Sequence, residues 1–282
     1  MGKFTGMLLV SDFDGTFTSQ IPENYRKNID AIQKFKDGGG LFAFATGRDY
    51  HSFAAVEPNF ENIANAPVIT ANGARLYDPV KKEYIFGSVL NLKLFAGFLE
   101  NAYKIYPGLG VRFSCGNGLV IPVMNEIIKR DINDLSMRDI PVRIMPVKEL
   151  LESGEEVYKC VMIHEPEKID KIRELALKSE ISRNDICFTK TYASGLEAVD
   201  INASKGRTAE RLIKYLNERD NLEYKLFAIG DYENDLEMIR LAHCGAAPGN
   251  AAEEVKKAAK ILTVDCKDGA VADFIRIIEN NY

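Results

Sequence analysis

The chain has 282 residues, one large domain or two modest ones at roughly 100 to 200 residues each. Hydrophobic residues make up 46% and charged residues 27%, and a chain of this size can bury roughly 75% of the surface its unfolded form exposes, so whole-chain disorder is excluded. Lysine and arginine total 36 against 41 aspartates and glutamates, a net charge of −5 with no block of either sign; nucleic acid is therefore not expected as a partner, because phosphate-backbone affinity needs clustered positive charge.

No apolar run approaches the roughly 18 residues of a membrane helix, and no membrane partner is expected. The first ten residues carry an apolar run too short for a secretory h-region and lead straight into an acidic motif. Five widely spaced cysteines, with no CxxC pair, read as reduced thiols in a cytoplasmic protein.

In chain order, Met7 to Val10 reads as a buried strand, and Pro22 opens a helix with Ile29, Ile32 and Phe35 at helical spacing, closed by Gly38, Gly39 and Gly40. Leu41 to Ala45 is the second strand, a short helix runs through Phe53 to Val56, and Pro67 to Thr70 is the third strand. This βαβαβ start is that of a doubly wound, mostly parallel α/β sheet. From about Tyr84 to Val199 the pattern changes. Short strands (Gly110 to Phe113, Leu119 to Pro122, Val157 to Ile163, Leu196 to Val199), helices near Leu92 to Tyr106 and Lys168 to Ser179, and turn signals at Pro107-Gly108, Gly116-Asn117-Gly118 and Ser194-Gly195 read as an α+β unit. The α/β pattern then resumes: a helix from Ser204 to about Arg219, strand Leu226 to Ile229, helix Leu236 to Leu241, strand Cys244 to Ala247, helix Ala251 to Ala259, strand Ile261 to Val264 and a last helix from Gly269. The expected organisation is thus a Rossmann-like core of residues 1–83 and 200–282 with an inserted domain of residues 84–199.

Four polar signals punctuate the core. Directly after the first strand stand Asp12-Phe13-Asp14-Gly15-Thr16, two carboxylates at the carboxyl end of a parallel strand, where open α/β sheets place their ligands. Such a pair can hold a hard divalent cation, offer a nucleophile, or offer an acid or base one step away. The second strand ends in Thr46-Gly47-Arg48: a hydroxyl and backbone N–H groups that can hold a phosphate oxygen, with a positive charge nearby. Lys205, near a helix amino terminus, opposes the macrodipole, and taken alone it reads either as an ammonium aimed at a phosphate oxygen or a carboxylate or as a solvated surface lysine. Finally, Gly230-Asp231-Tyr232-Glu233-Asn234-Asp235 follows another apolar strand, with Asp231 suited to a cation, Asn234 to a phosphate and Asp235 to a supporting place. The three histidines, His51, His164 and His243, have no metal-ligand spacing and read as structural or surface residues.

Taken in order, these signals resemble the four motifs of the haloacid dehalogenase (HAD) superfamily, and Asp14 resembles the acid that marks its phosphotransferase branch. Ala71-Asn72-Gly73-Ala74, Ser204-Lys205-Gly206 and Gly249-Asn250-Ala251 resemble the Cof-type subfamily, and the position of the insert is similar to a class IIB cap. Phe17 and Pro248 depart from that pattern, which more often has leucine and methionine there. The resemblance implies a Mg²⁺-dependent phosphatase acting on a small phosphorylated metabolite such as a sugar phosphate or a phosphorylated cofactor. It implies that Asp12 attacks phosphorus, that Asp14 is the acid and base, and that Mg²⁺ is bound by Asp12, Asp231 and the Asp14 carbonyl. Phe13 (main chain), Thr46, Gly47, Arg48, Lys205 and Asn234 then hold the phosphoryl group, and the cap excludes water and selects the substrate. A phosphomutase or phosphoryl transferase of the same superfamily shares these motifs, and a non-catalytic phosphate-binding protein is the third reading; intact Asp12, Asp14, Lys205 and Asp231 argue against the latter.

Overall fold

The computed structural model describes residues 2–116, 118–133 and 140–282, so Asn117 of the predicted turn lies outside the described residues. The chain divides into two units, one of Met1–Gly47, Asn59–Ile85 and Lys205–Tyr282, the other of Arg48–Pro58 and Phe86–Ser204.

An eight-stranded sheet carries the first unit. Its strands are β1 (Met7–Asp12), β2 (Leu41–Ala45), β3 (Val68–Thr70), β4 (Arg75–Asp78), β5 (Glu83–Gly87), β12 (Lys225–Ile229), β13 (Cys244–Ala247) and β14 (Ile261–Leu262), in the order β14-β13-β12-β1-β2-β3-β4-β5. All neighbours from β14 to β3 are parallel. Strands covered on both faces have no polar side to show, which is why β1, β2 and β12 read as continuous apolar runs. The antiparallel β3–β4 pairing extends this sheet beyond what the sequence indicates. Helix α1 (Pro22–Asp37) starts on a proline whose missing N–H costs nothing at that position, and Ile32 and Phe35 face the core. In α9 (Lys205–Asp220), Ala209, Leu212 and Leu216 do the same.

The order of the strands decides where chemistry can sit. From β1 the chain proceeds through α1 to β2 on one side, while β12 lies on the other, so the direction of winding reverses at β1. Ligands of open α/β sheets occupy the crevice at such a reversal, beyond the carboxyl ends of the strands. Register does the rest: Asp12 is level with Ala45, and Ser11 with Ile229, so Thr46 and the Gly230–Asp231 pair emerge beside Asp12 on one edge.

The second unit is built on a sheet of order β10-β11-β9-β6-β7-β8, with β6 (Gly110–Cys115), β7 (Gly118–Ile121), β8 (Val142–Ile144), β9 (Val157–Ile163), β10 (Ile186–Tyr192) and β11 (Gly195–Asp200). All pairs are antiparallel except β7–β8. One face forms an apolar core in which Phe95, Phe98 and Leu99 of helix α4 (Leu92–Ile105) pack with Phe113, Cys160, Met162, Phe188 and Leu196. The other face carries Ile121, Val161 and Ile163 with Ile128, together with the buried ion pair Lys159–Glu197 at 3.0 Å and the pair of buried Arg112 with half-buried Asp131 at 2.6 Å.

Residues 48–58 and 200–204, which the sequence reading puts in the catalytic core, group with this second unit. The reason is local. Asp49 caps helix α2 (Tyr50–Val56) by accepting from Ser52 N at 3.0 Å, and its other oxygen accepts from Ser114 Oγ on β6 at 3.3 Å. Asp200 is tied in the same way, accepting from Ser88 Oγ at 2.7 Å. The helix expected from Ala251 begins at Glu253 because Ala252 is extended, and the strand expected to reach Val264 ends at Leu262. All five cysteines are free thiols. Among the described residues, no helix is long and apolar enough to cross a membrane.

Candidate active site

Asp12 ends β1 with its carboxylate almost wholly buried, at 5% exposure. Its Oδ1 accepts from Lys205 Nζ at 2.6 Å, and the same ammonium donates to Asp235 Oδ1 at 2.7 Å. Lys205 is thereby the best buried cation of the first unit, at 1% exposure, and two carboxylates offset its unfavourable place at the start of α9. Asp235 in turn uses Oδ2 to accept from the backbone N–H groups of Asp231 and Tyr232, at 3.0 and 3.2 Å. The turn after β12 is folded around that carboxylate so closely that a Cβ on Gly230 would stand 2.4 Å from Asp235 Cγ.

Asp231 completes the cluster. Thr16 Oγ1 donates to its Oδ1 at 3.0 Å, and a ligand oxygen from each of Asp12, Asp231 and Asp235 lies within 4.8 Å of the others. Burial raises the Asp12 carboxyl well above the usual range, against Lys205, which lowers it, and with help from Asp235 and Asp231. Asp231 is pushed up to about 6, chiefly by burial and then by Asp235. Burial works against the Lys205 charge, but Asp12 and Asp235 overcome it and hold the ammonium above the ordinary lysine range. Three carboxylates and one ammonium leave two negative charges when all are ionised, the charge that one divalent cation balances. Asp12 Oδ2 is buried with no hydrogen-bond partner, as an oxygen kept for a ligand would be. The donors are hard oxygens, so the group fits Mg²⁺ better than a softer metal.

Gly15 makes this packing possible. It has φ of +80°, and a Cβ there would lie 2.5 Å from Asp231 Oδ2. Gly15→Ala is expected to cost about 1–2 kcal/mol of stability from the left-handed backbone alone. It should also displace the Asp231 carboxylate; thermal melting and Mn²⁺ binding by electron paramagnetic resonance check the two effects separately.

A second polar group flanks the carboxylates. Thr46 is fully buried at the end of β2, with its carbonyl accepting from Asn72 N at 3.1 Å. A Cβ on Gly47 would lie 3.2 Å from Asn72 Oδ1, and Asn234 Nδ2 donates to that same oxygen at 3.0 Å. Thr46 and Gly47 from one motif and Asn234 from another are therefore joined through Asn72.

Of the other predicted residues, Asp14 is exposed on the loop after β1. Phe13 is buried, stacked on Phe17 at 5.7 Å and edge-on to Phe44 at 5.8 Å, so the aromatic side chain anchors the loop. Phe17, at the departure from the family pattern, is a fully buried core residue. Arg48 belongs to the second unit, where its Nη1 donates to Ser52 Oγ at 3.3 Å. His51 and His243 are exposed and His164 is buried in the second unit, none of them in the carboxylate cluster. Sequence reasoning missed Thr16 as a partner of Asp231, and Asn250, which donates to the Gly15 carbonyl at 2.8 Å while accepting from Cys266 N at 2.9 Å. Both stand inside recognised motifs, which was the available signal.

Comparison with known proteins agrees with this arrangement. The family model for haloacid dehalogenase-like hydrolases matches residues 9–275. The chain is 23% identical over 277 residues to the 5-amino-6-(5-phospho-D-ribitylamino)uracil phosphatase YitU of Bacillus subtilis, covering 95% of this chain and 96% of the relative. It is 24% identical over 278 residues to the pyridoxal phosphate phosphatase YbhA of Escherichia coli, covering 96% and 98%. Among solved structures, the subclass IIB sugar phosphatase BT4131 shares the fold with a TM-score of 0.74 at 22% identity, over 96% of this chain and 98% of that one. With a buried carboxylate cluster at the winding reversal of the sheet and a family match over nearly its whole length, the chain belongs to the haloacid dehalogenase-like hydrolases.

Proposed function

We propose that the protein is a Mg²⁺-dependent phosphatase that hydrolyses small organic phosphate monoesters through a phosphoryl group carried on Asp12. The observation that carries this reading is the free Asp12 Oδ2, a buried carboxylate oxygen beside Lys205 and Asp231. In the first step this oxygen bonds to phosphorus as the ester P–O bond breaks, and the leaving oxygen takes its proton from Asp14. In the second, water attacks phosphorus, gives its proton to Asp14, and the bond to Asp12 breaks; one hard displacement becomes two easier ones. Mg²⁺, held by the Asp12 and Asp231 carboxylates and the Asp14 main-chain carbonyl, would offset the charge of the phosphoryl group. Lys205, Thr46, Asn234 and the backbone of Gly47 and Phe13 hold the remaining oxygens.

The inserted unit acts as the cap and carries substrate selection. YitU and YbhA are named for phosphorylated metabolites of quite different size and shape, which supports a small phosphorylated metabolite as the substrate class. A phosphate-release screen over sugar phosphates, nucleotides, flavin phosphates and pyridoxal phosphate, with and without Mg²⁺, tests the proposal. Release from at least one of these, abolished by chelation, is the expected result; no release from any of them, or release undiminished after exhaustive chelation, contradicts it.

The crowded carboxylates give a further expected outcome in the absence of metal. Asp231 has a folded pKa of about 6, above its unfolded value of 3.8, so between those values the folded state binds more protons and stability falls as pH rises. Burial moves Asp12 in the same direction. The melting temperature in chelator should therefore decline from pH 4 to pH 6, and Mg²⁺ should restore it at pH 7. Differential scanning calorimetry with and without the cation measures both.

A further inference from the structure

Residues 71–73 form an unusual turn directly after β3. Ala71, Asn72 and Gly73 have φ of +50°, +55° and +91°, three successive left-handed residues of which only one is glycine. Each non-glycine residue in that region costs on the order of 1 kcal/mol or more and persists only where the surroundings fix it. The surroundings do so from two directions. Thr208, one turn into the helix that Lys205 begins, donates through Oγ1 to the Gly73 carbonyl at 2.7 Å, and Asn72 N donates to the Thr46 carbonyl at 3.1 Å. The consequence is to bring the Asn72 amide, 5% exposed, against Gly47 and under Asn234, whose Nδ2 donates to Asn72 Oδ1 at 3.0 Å.

We infer that Asn72 is a positioning residue for phosphate binding: by accepting one hydrogen of the Asn234 amide it fixes the side-chain rotamer and flip of Asn234, and so directs the second amide hydrogen to a phosphoryl oxygen. A primary amide has two donor hydrogens on one nitrogen; holding one leaves the other aimed, and exchanging nitrogen for oxygen would set an acceptor facing an anion. Asn72 also fills the space beside Gly47, so the Gly47 backbone and the Asn234 amide keep a common geometry. The inference rests on the phosphate-site reading above and adds to it the residue that orients one of its donors.

The test is a double-mutant cycle read by tungstate binding, a tetrahedral oxyanion like phosphate, measured by calorimetry in the presence of Mg²⁺. Asn72→Gly removes the amide while suiting the left-handed backbone, so its melting temperature should not fall below that of the wild type. It should weaken tungstate binding about tenfold when Asn234 is present, the scale of a lost charge-assisted hydrogen bond. In an Asn234→Ala background the same substitution should change binding less than about twofold, because there is no amide left to orient. Equal losses in the two backgrounds would mean a general structural role, and no loss with Asn234 present would mean no role in binding; either overturns the inference while leaving the phosphate site standing. Wild-type protein that binds no tungstate would overturn the phosphate-site reading itself and this inference with it.

Discussion

Asp12→Asn should reduce turnover on every substrate by about 10⁴ to 10⁶-fold, the range found when an enzyme loses its nucleophile. The change is nearly isosteric, so the loss reports chemistry rather than packing. An amide has no anionic oxygen to attack phosphorus, and it removes one of the carboxylates that give the site its affinity for a divalent cation. The fold is expected to survive because Lys205 keeps its 2.7 Å contact with Asp235. Steady-state phosphate release and scanning calorimetry together separate this outcome from unfolding.

Asp14→Asn is expected to fail differently. Asp14 is exposed on the loop after β1, outside the carboxylate cluster, and in the proposed mechanism it exchanges protons with the leaving group and with water. In that mechanism its loss would leave the Asp12 carboxylate and its partners in place but remove the proton source for the first step and the base for the second, each worth about 10² to 10⁴-fold. With an alkyl phosphate both steps suffer. With an aryl or acyl phosphate the leaving group needs little protonation, so the first step should proceed and the second should stall, giving a burst of one leaving group per enzyme followed by slow release of phosphate. Stopped-flow detection of the aryl leaving group measures that burst.

How much of this was legible in the sequence depended on distance along the chain. Strands buried on both faces announced themselves as Leu8–Val10, Phe42–Ala45 and Leu226–Ile229, and the acidic or hydroxyl residues that follow each run fell on one sheet edge because parallel strands in register must put them there. Lys205 was legible through its conflict with the helix dipole, and the structure shows the two carboxylates that resolve it. The β4 and β5 strands were not: Arg75 to Asp78 and Glu83 to Gly87 mix charged and aromatic residues, and β5 is only partly covered. The grouping of residues 48–58 with the second unit depends on contacts such as Ser114 with Asp49, which no local pattern encodes. Thr16, Asn72 and Asn250 stand inside motifs, but what each of them holds depends on partners 162 to 235 positions away.

The central claim is that Asp12 carries the phosphoryl group. It is tested most directly by mixing Asp14→Asn protein with an acyl or aryl phosphate and Mg²⁺, quenching in acid within milliseconds, and measuring the intact mass and the modified peptide. The account predicts a single added phosphoryl group, mapped to Asp12 and absent from the Asp12→Asn,Asp14→Asn double variant. A phosphoryl group on any other residue, or full wild-type turnover in the Asp12→Asn protein, would contradict it.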